Sequence, residues 1–298
     1  MANVTTTTAA TFIPEIWAQT ALQALRSKIV LAQIVTKDTD VTNSFTTGDV
    51  LHIPVVGTYT ANNKAAGSNV TAQAPTDGEV TVTLNKHKEV TVVIEDAAAV
   101  QANQSLMERY AVNAIIPIAE AIEDDLFALY AGFSASAISG GAAITAANVR
   151  TARANLNSVK APEAGRALVV NPNSEVGLLA DADLQSYFAF SQPEGPRNGY
   201  TGRVYGFDVY MSQRVPLATT YKNLALTPEA MILAMRSLPE TGNPGVDQVV
   251  VSDPVSGLAI RQTVSYNANA LGVQITWDVL YGVAELRDAC GQVITTTS

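Results

Sequence analysis

The sequence predicts an α+β fold with strands and helices partly segregated along the chain, and three observations carry that prediction. Residues 80–84 and 90–94 alternate Val, Leu or Ile with Thr and read as strands. They lead into a long apolar helical pattern that ends near Gly132. The last third is β-rich, with strand patterns at 246–251, 257–266, 273–280, 283–286 and 292–295. A flat ribbon that cannot bury itself, joined to a long helix, reads as a part built to touch other copies of the same chain.

Taken in order, Met1 to Thr11 is Thr- and Ala-rich and lacks the basic start and apolar core of a signal peptide. Residues 13–29 read as an amphipathic helix. Pro14 suits its first position, and Ile13, Trp17, Ala21, Leu25 and Ile29 recur every four residues on one face. That helix docks either on its own domain or on a neighbour. Residues 50–56 form a short strand in which Pro54 removes a ladder donor, so it belongs at an edge or a bulge. Residues 57–79 hold few large apolar side chains and much Asn, Ala, Thr and Gly, so they cannot order themselves by burial. Strand, polar tip, strand is the pattern of a protruding hairpin.

Asp96 can cap a turn of alanines, and Ser105 with Glu108 matches a capping box. Leu106, Tyr110, Ala114, Ile118, Ile122, Leu126 and Leu129 then mark a helix of roughly seven turns. Pro117 inside it predicts a kink or bend. Gly140-Gly141 marks a boundary between lobes. Beyond it come a helix capped by Thr145, a buried strand at 166–170, and a helix capped by Asn173 or Ser174. A Gly- and Pro-rich loop at 192–202 and a strand at 203–211 follow. A third helix is expected to start at Thr227-Pro228-Glu229.

The chain has 298 residues, 47% hydrophobic and only 15% charged, ample for a large core and for more than one lobe. Sparse charge suits a surface largely covered by partners. A net charge of −9 argues against a protein that grips nucleic acid, which needs a basic face to displace counterions. It leaves room for a protein that encloses DNA without clamping it. The single cysteine, Cys290, excludes an intrachain disulfide and reads as a small buried apolar residue. The longest helical pattern contains Glu108, Arg109, Glu120, Glu123, Asp124 and Asp125, so no apolar run is long enough to span a bilayer. The expected compartment is a cytoplasm.

No phosphate-binding loop, dinucleotide fingerprint, nucleophile elbow or helical zinc motif is present. His52 and His87 both lie on arm strands. They read as ordinary strand residues rather than a metal pair, since no acid or cysteine cluster in the sequence completes a shell. Glu120, Glu123, Asp124 and Asp125 form the densest acidic cluster. Acid–base chemistry or a metal site is weighed there against the solvated or interface-facing side of an amphipathic helix, and the latter is preferred. Basic residues gather at Arg26, Lys28 and Lys37 and on the arm at Lys64, Lys86 and Lys88. This segregation favours ion pairing between subunits. Trp17, Lys28, Lys64, His87, Glu120 and Asp124 are the candidates for such contacts. No catalytic, cofactor-binding or metal-binding residue is assigned.

Two stretches carry a family resemblance. One is Gly202-Arg-Val-Tyr-Gly-Phe-Asp-Val-Tyr-Met-Ser-Gln-Arg-Val-Pro216, and the other is Leu280-Tyr-Gly-Val-Ala-Glu-Leu-Arg287. With the co-linear order of parts over nearly the whole chain, they resemble the major capsid (coat) proteins of tailed bacteriophages, of Hong Kong 97-type fold. The resemblance implies an N-terminal arm at 1–40, an extended β-hairpin loop at 41–95, and a spine helix of the peripheral domain at 96–137. It further implies an axial domain at 138–250 and a return to the peripheral sheet at 251–298.

By function it implies a structural subunit, not an enzyme. Copies would assemble into hexamers and pentamers of an icosahedral shell around double-stranded DNA that is not read by sequence. The implied partners are a separate scaffolding protein, a portal protein and a decoration protein, with no membrane. The implied location is the virion, assembled in the bacterial cytoplasm. Some members cross-link through a loop lysine. Lys64 is such a lysine, but no catalytic acid or acceptor can be assigned, so no cross-link is inferred. The alternatives are an encapsulin-type compartment shell, which shares the fold, and an enzyme acting through Glu120 to Asp125.

Overall fold

The computed structural model describes residues 30–38, 50–96 apart from 56, 58 and 75, 105–184, 202–253 apart from 237, 241, 243 and 244, and 258–297. For residues 105–112, 252, 253 and 258 it describes the backbone alone. The helix expected over 13–29, with Trp17 and Lys28, lies outside the described residues, as do the alanine turn after Asp96 and most of the 192–202 loop.

The described chain opens on a short helix, α1 (Leu31–Ile34), and a strand, β1 (Thr36–Asp38). Next, β2 (Val50–Val55) and β3 (Gly78–Thr83) pair antiparallel, from Val50 opposite Thr83 to Val55 opposite Gly78. They form a two-stranded ribbon, so Pro54 has an open edge for its missing N–H. Past the ribbon, side chains continue the ladder. The Gly57 N–H donates to Asp77 at 3.2 Å, and the Thr60 N–H donates to Gln73 Oε1 at 2.9 Å. A turn closes the tip where the Ser68 N–H reaches the Ala65 carbonyl, with Gly67 at a φ of 82°.

β4 (Lys86–Glu95) departs from the expected ribbon of 80–84 with 90–94. It pairs instead with a strand far along the chain, β13 (Gly272–Glu285), from Tyr281 opposite Lys86 to Gly272 opposite Glu95. The physical reason is burial. Val90, Val92 and Ile94 pack on the main core, and a local ribbon with β3 would leave that face in water.

Helix α2 (Ser105–Ala128, 24 residues) is the expected long helix, finished by a 3-10 turn at Leu129–Gly132. Ala114, Ile118, Ile122 and Leu126 of the predicted stripe are buried, widened by Ile115, Ala119 and Phe127. The helix runs on through Pro117, which is exposed, as is Asn113, whose carbonyl loses its partner. The missing bond thus falls on the solvent side, where water can replace it.

The rest comprises β5 (Ile138–Ser139), α3 (Ala146–Ser158), β6 (Ala167–Val170), α4 (Pro172–Ala180), β7 (Arg203–Val204) and β8 (Phe207–Met211). It continues with β9 (Tyr221–Leu226), β10 (Met231–Arg236), β11 (Val246–Asp253), β12 (Leu258–Asn267), β13 and β14 (Gly291–Thr296). One sheet runs β1-β10-β13-β12-β11, with β4 also on β13. β4 lines one edge of β13, while β12 and then β10 line the other end to end. The second sheet runs β5-β14-β9-β6-β8-β7. Buried side chains of both sheets and of α2, α3 and α4 form one apolar cluster, Cys290 among them, so the core is continuous across the Gly140-Gly141 turn.

Other differences from the sequence reading have local causes. The helix expected after Thr227 is a single 3-10 turn, Pro228–Ala230, and then strand β10. β10 is buried on both faces, Leu233 and Met235 toward the main core and Ile232 and Ala234 toward the hairpin root. A doubly buried strand shows no alternation, so its apolar run looks like a helix. The strand expected over 203–211 is a hairpin turning at Tyr205 and Gly206, both at positive φ. Asn171, not Asn173 or Ser174, caps α4 by accepting from the Ser174 N–H at 3.1 Å. The strands expected at 273–280 and 283–286 are one, because Gly282 is where the Thr83 carbonyl presses against β13, leaving no room for a Cβ. Finally, β14 pairs with β9 in the second sheet, although 251–298 was expected to belong wholly to the first. Its residues from Gly291 to Ile294 are buried, and they complete the core between α3 and β9.

Candidate functional site

Two features stand out from the packed body: the β2–β3 hairpin and the acidic turn of α2. Every described residue of the hairpin from 59 to 74 is exposed, Lys64 among them. Only the root is buried, where Leu51, Val82 and Leu84 meet Ile232 and Ala234. The distal hairpin therefore has no core of its own and can bury surface only against something outside this chain.

The four acids of the α2 cluster do not converge on a common site. Glu120 and Asp124, one helical turn apart, face Arg214 in the segment after β8. Arg214 donates to Asp124 through both Nε, at 2.9 Å, and Nη2, and its Nη1 lies 3.7 Å from Glu120 Oε2. This partly exposed cluster ties the helix to the second sheet. Glu120 and Asp124, expected as candidates for contacts between subunits, thus share an ion-pair partner within the chain and stay partly exposed.

Glu123 differs from the solvated-face reading, since it is 1% exposed. Its Oε1 accepts from the N–H groups of Val30 and Ala32 at 3.0 and 3.1 Å, and its Oε2 from that of Leu31 at 3.1 Å. Burial raises its pKa above the usual glutamate value and Asp124 adds to the rise, against the pull of the three N–H donors.

Asp125 accepts from Lys86 Nζ at 2.7 Å and from the Tyr281 hydroxyl at 2.6 Å. Burial pushes its pKa up, but the hydrogen bonds from Lys86 and Tyr281 and the charges of Lys86 and Lys88 outweigh it, and the net shift is downward. The Tyr281 phenol is pushed up by burial and by this same carboxylate. A lowered pKa means that the stabilisation is present above the unfolded value of 3.8 and is lost as pH falls through the folded value. Asp125→Asn is thus expected to cost about 1–2 kcal/mol at neutral pH. The difference from the parent should shrink as pH drops below 4, read from urea midpoints across a pH series. A difference that stays constant into acid would contradict this assignment.

The two histidines sit on separate sheets. His52 Nδ1 on β2 lies 3.1 Å from Glu79 on β3, both exposed. His87 Nε2 on β4 lies 2.8 Å from Asp278 Oδ2 on β13, and Arg261 on β12 grips the same carboxylate through Nε at 3.0 Å and Nη2 at 2.6 Å. Each histidine thus has an acid that no sequence spacing brings near it. Asp278, Arg261, Arg214 and Tyr281 were not singled out from sequence. Asp278 carried a readable signal, a charge at the centre of an apolar strand pattern, which demands a buried partner. Among the described residues no helix is long and apolar enough to cross a membrane.

No family model matches the sequence, and no curated protein matches it. Solved structures do match. One of Mycobacterium phage Che8 aligns with a TM-score of 0.66 at 20% identity, over 89% of this chain and 90% of that one. The capsid of cyanophage P-SCSP1u gives a TM-score of 0.63 at 14% identity, over 91% and 88%. The capsid of Ralstonia phage GP4 gives 0.63 at 12% identity, over 92% and 90%. The overall fold is thus shared, over about nine-tenths of each chain, by proteins that have little sequence in common with this one. This chain has the α+β, Hong Kong 97-type fold of phage capsid subunits.

Proposed function

We propose that this chain is the major capsid protein of a tailed bacteriophage, assembling with copies of itself into the hexamers and pentamers of an icosahedral shell around double-stranded DNA. The observation that carries the reading is the near end-to-end match to phage capsids, joined to a hairpin whose residues 59–74 are all exposed. In this reading residues 1–40 are the arm and 41–85 the extended loop, with β4 belonging to the peripheral sheet instead of the loop. α2 with the β10–β13 sheet is the peripheral domain. The second sheet, including β14, is the axial domain. Arm and loop lie on neighbouring subunits, and many weak contacts repeated by symmetry make a strong shell. Trp17, Lys28 and Lys64 are the contact candidates on these two parts.

The net charge of −9 keeps the shell from clamping DNA that must move during packaging. A separate scaffolding protein, a portal and a decoration protein belong to the same proposal, as does assembly in the host cytoplasm. The reading as an enzyme at the acidic turn loses its support, because those carboxylates are directed to Arg214, to backbone N–H groups, and to Lys86 with Tyr281.

The test is electron microscopy of the purified protein, expressed alone and with candidate scaffold genes. Closed shells of uniform diameter, or sheets and tubes of hexamers, are the expected result. Small discrete oligomers under every condition would overturn it, and shells carrying cargo enzymes would favour an encapsulin-type compartment.

A further inference from the structure

The carboxylate of Glu123 is buried, and the partners found for it are three successive backbone N–H groups more than ninety residues away in sequence. Those N–H groups open α1, where the first turn of a helix leaves donors without intrahelical acceptors. The same root is fastened by apolar packing and by a strand. Leu31, Ala32 and Val35 are buried, β1 runs parallel to β10, and the Thr36 hydroxyl donates to the Pro228 carbonyl at 2.8 Å. Two positions along α2, Asp125 holds Lys86, the first residue of β4 and three residues beyond the hairpin strand β3. Between them, Asp124 holds Arg214 in the segment after β8.

We propose that this single turn of α2 is a shared joint, at which Glu123 locks residues 30–32 and Asp125 locks the root of the hairpin, so that these two anchor points cannot shift independently. Withdrawal of residues 30–32 strips a buried carboxylate of its donors, which makes the root either latched or released rather than continuously adjustable. Any rotation of α2 about its axis moves residues 123 and 125 together, so loosening one lock strains the other. The inference concerns the folded subunit and stands apart from shell formation.

Hydrogen exchange on the full chain, read by mass spectrometry, tests it. Glu123→Gln keeps the side-chain shape but turns one acceptor into a donor. It is expected to speed exchange at the amides of residues 30–32 about tenfold or more, and to raise it measurably at 86–88. Asp124→Asn should leave the exchange at 30–32 within about twofold. Unchanged exchange at 30–32 in Glu123→Gln, or an equal rise across the whole chain, would overturn the latch. Lys86→Gln leaves Glu123 intact and replaces a side chain that is one-third exposed. The joint predicts faster exchange at 30–32 in that variant as well, and no change there would overturn the coupling.

Discussion

Asp278→Ala is expected to destabilise the fold by about 3–5 kcal/mol, among the larger effects available to one side chain here. Asp278 is 4% exposed and stands directly across the β12–β13 pair from Arg261, whose side chain is itself largely buried. The guanidinium meets the carboxylate in a two-pronged contact and spends its remaining reach on the Pro239 carbonyl at 3.1 Å. Removing the carboxylate leaves a desolvated cation without its counter-charge, which is the costly event. The pair itself adds little over an apolar one. It follows that Asp278→Leu combined with Arg261→Met should recover most of the loss. Urea unfolding of the single and double variants measures both. A single-variant loss under about 1 kcal/mol would show that water reaches this site more freely than its burial indicates. His87, half-exposed on the third strand, contributes the smaller share of the network.

Shortening the hairpin tip to a tight turn, by removing most of residues 57–77, is expected to separate folding from assembly. No described residue of that stretch contributes to either buried cluster, so the unfolding midpoint should change little. The same deletion removes a stretch of exposed residues that has no core of its own, and shells should fail to form or should fall apart at lower denaturant. Calorimetry on the subunit and electron microscopy on the assembly mixture read the two effects. Normal, stable shells from the shortened chain would remove the hairpin from the list of inter-subunit contacts. A large loss of subunit stability would show that the tip is part of the fold.

Parts of this fold whose cause is local were readable from residues alone. The spacing of Ala114, Ile118, Ile122 and Leu126 defined α2 and its buried face, because a helix repeats within one turn of itself. Thr145 at the start of α3 was readable for the same reason, since it and Asn148 satisfy each other's backbone within four residues. The hairpin was legible through what it lacks, a polar stretch between two alternating strands with nothing to bury. The resemblance to phage coat proteins likewise followed from the order of the parts.

The acidic turn was visible as a cluster but misread in its detail. Nothing within a few positions of Glu123 distinguishes it from Asp124, yet one is buried against the backbone of residues 30–32 and the other faces Arg214 at the surface. The sequence by itself determined the helices whose faces are amphipathic, the alternating strands, and the absence of common catalytic motifs, because each depends on neighbours along the chain. Only the tertiary structure decided that β4 leaves β3 for β13, that β10 is a strand, that β14 crosses to the second sheet, and which acid meets which base. Those outcomes depend on burial from both sides and on partners tens to hundreds of residues away, and no local pattern encodes either.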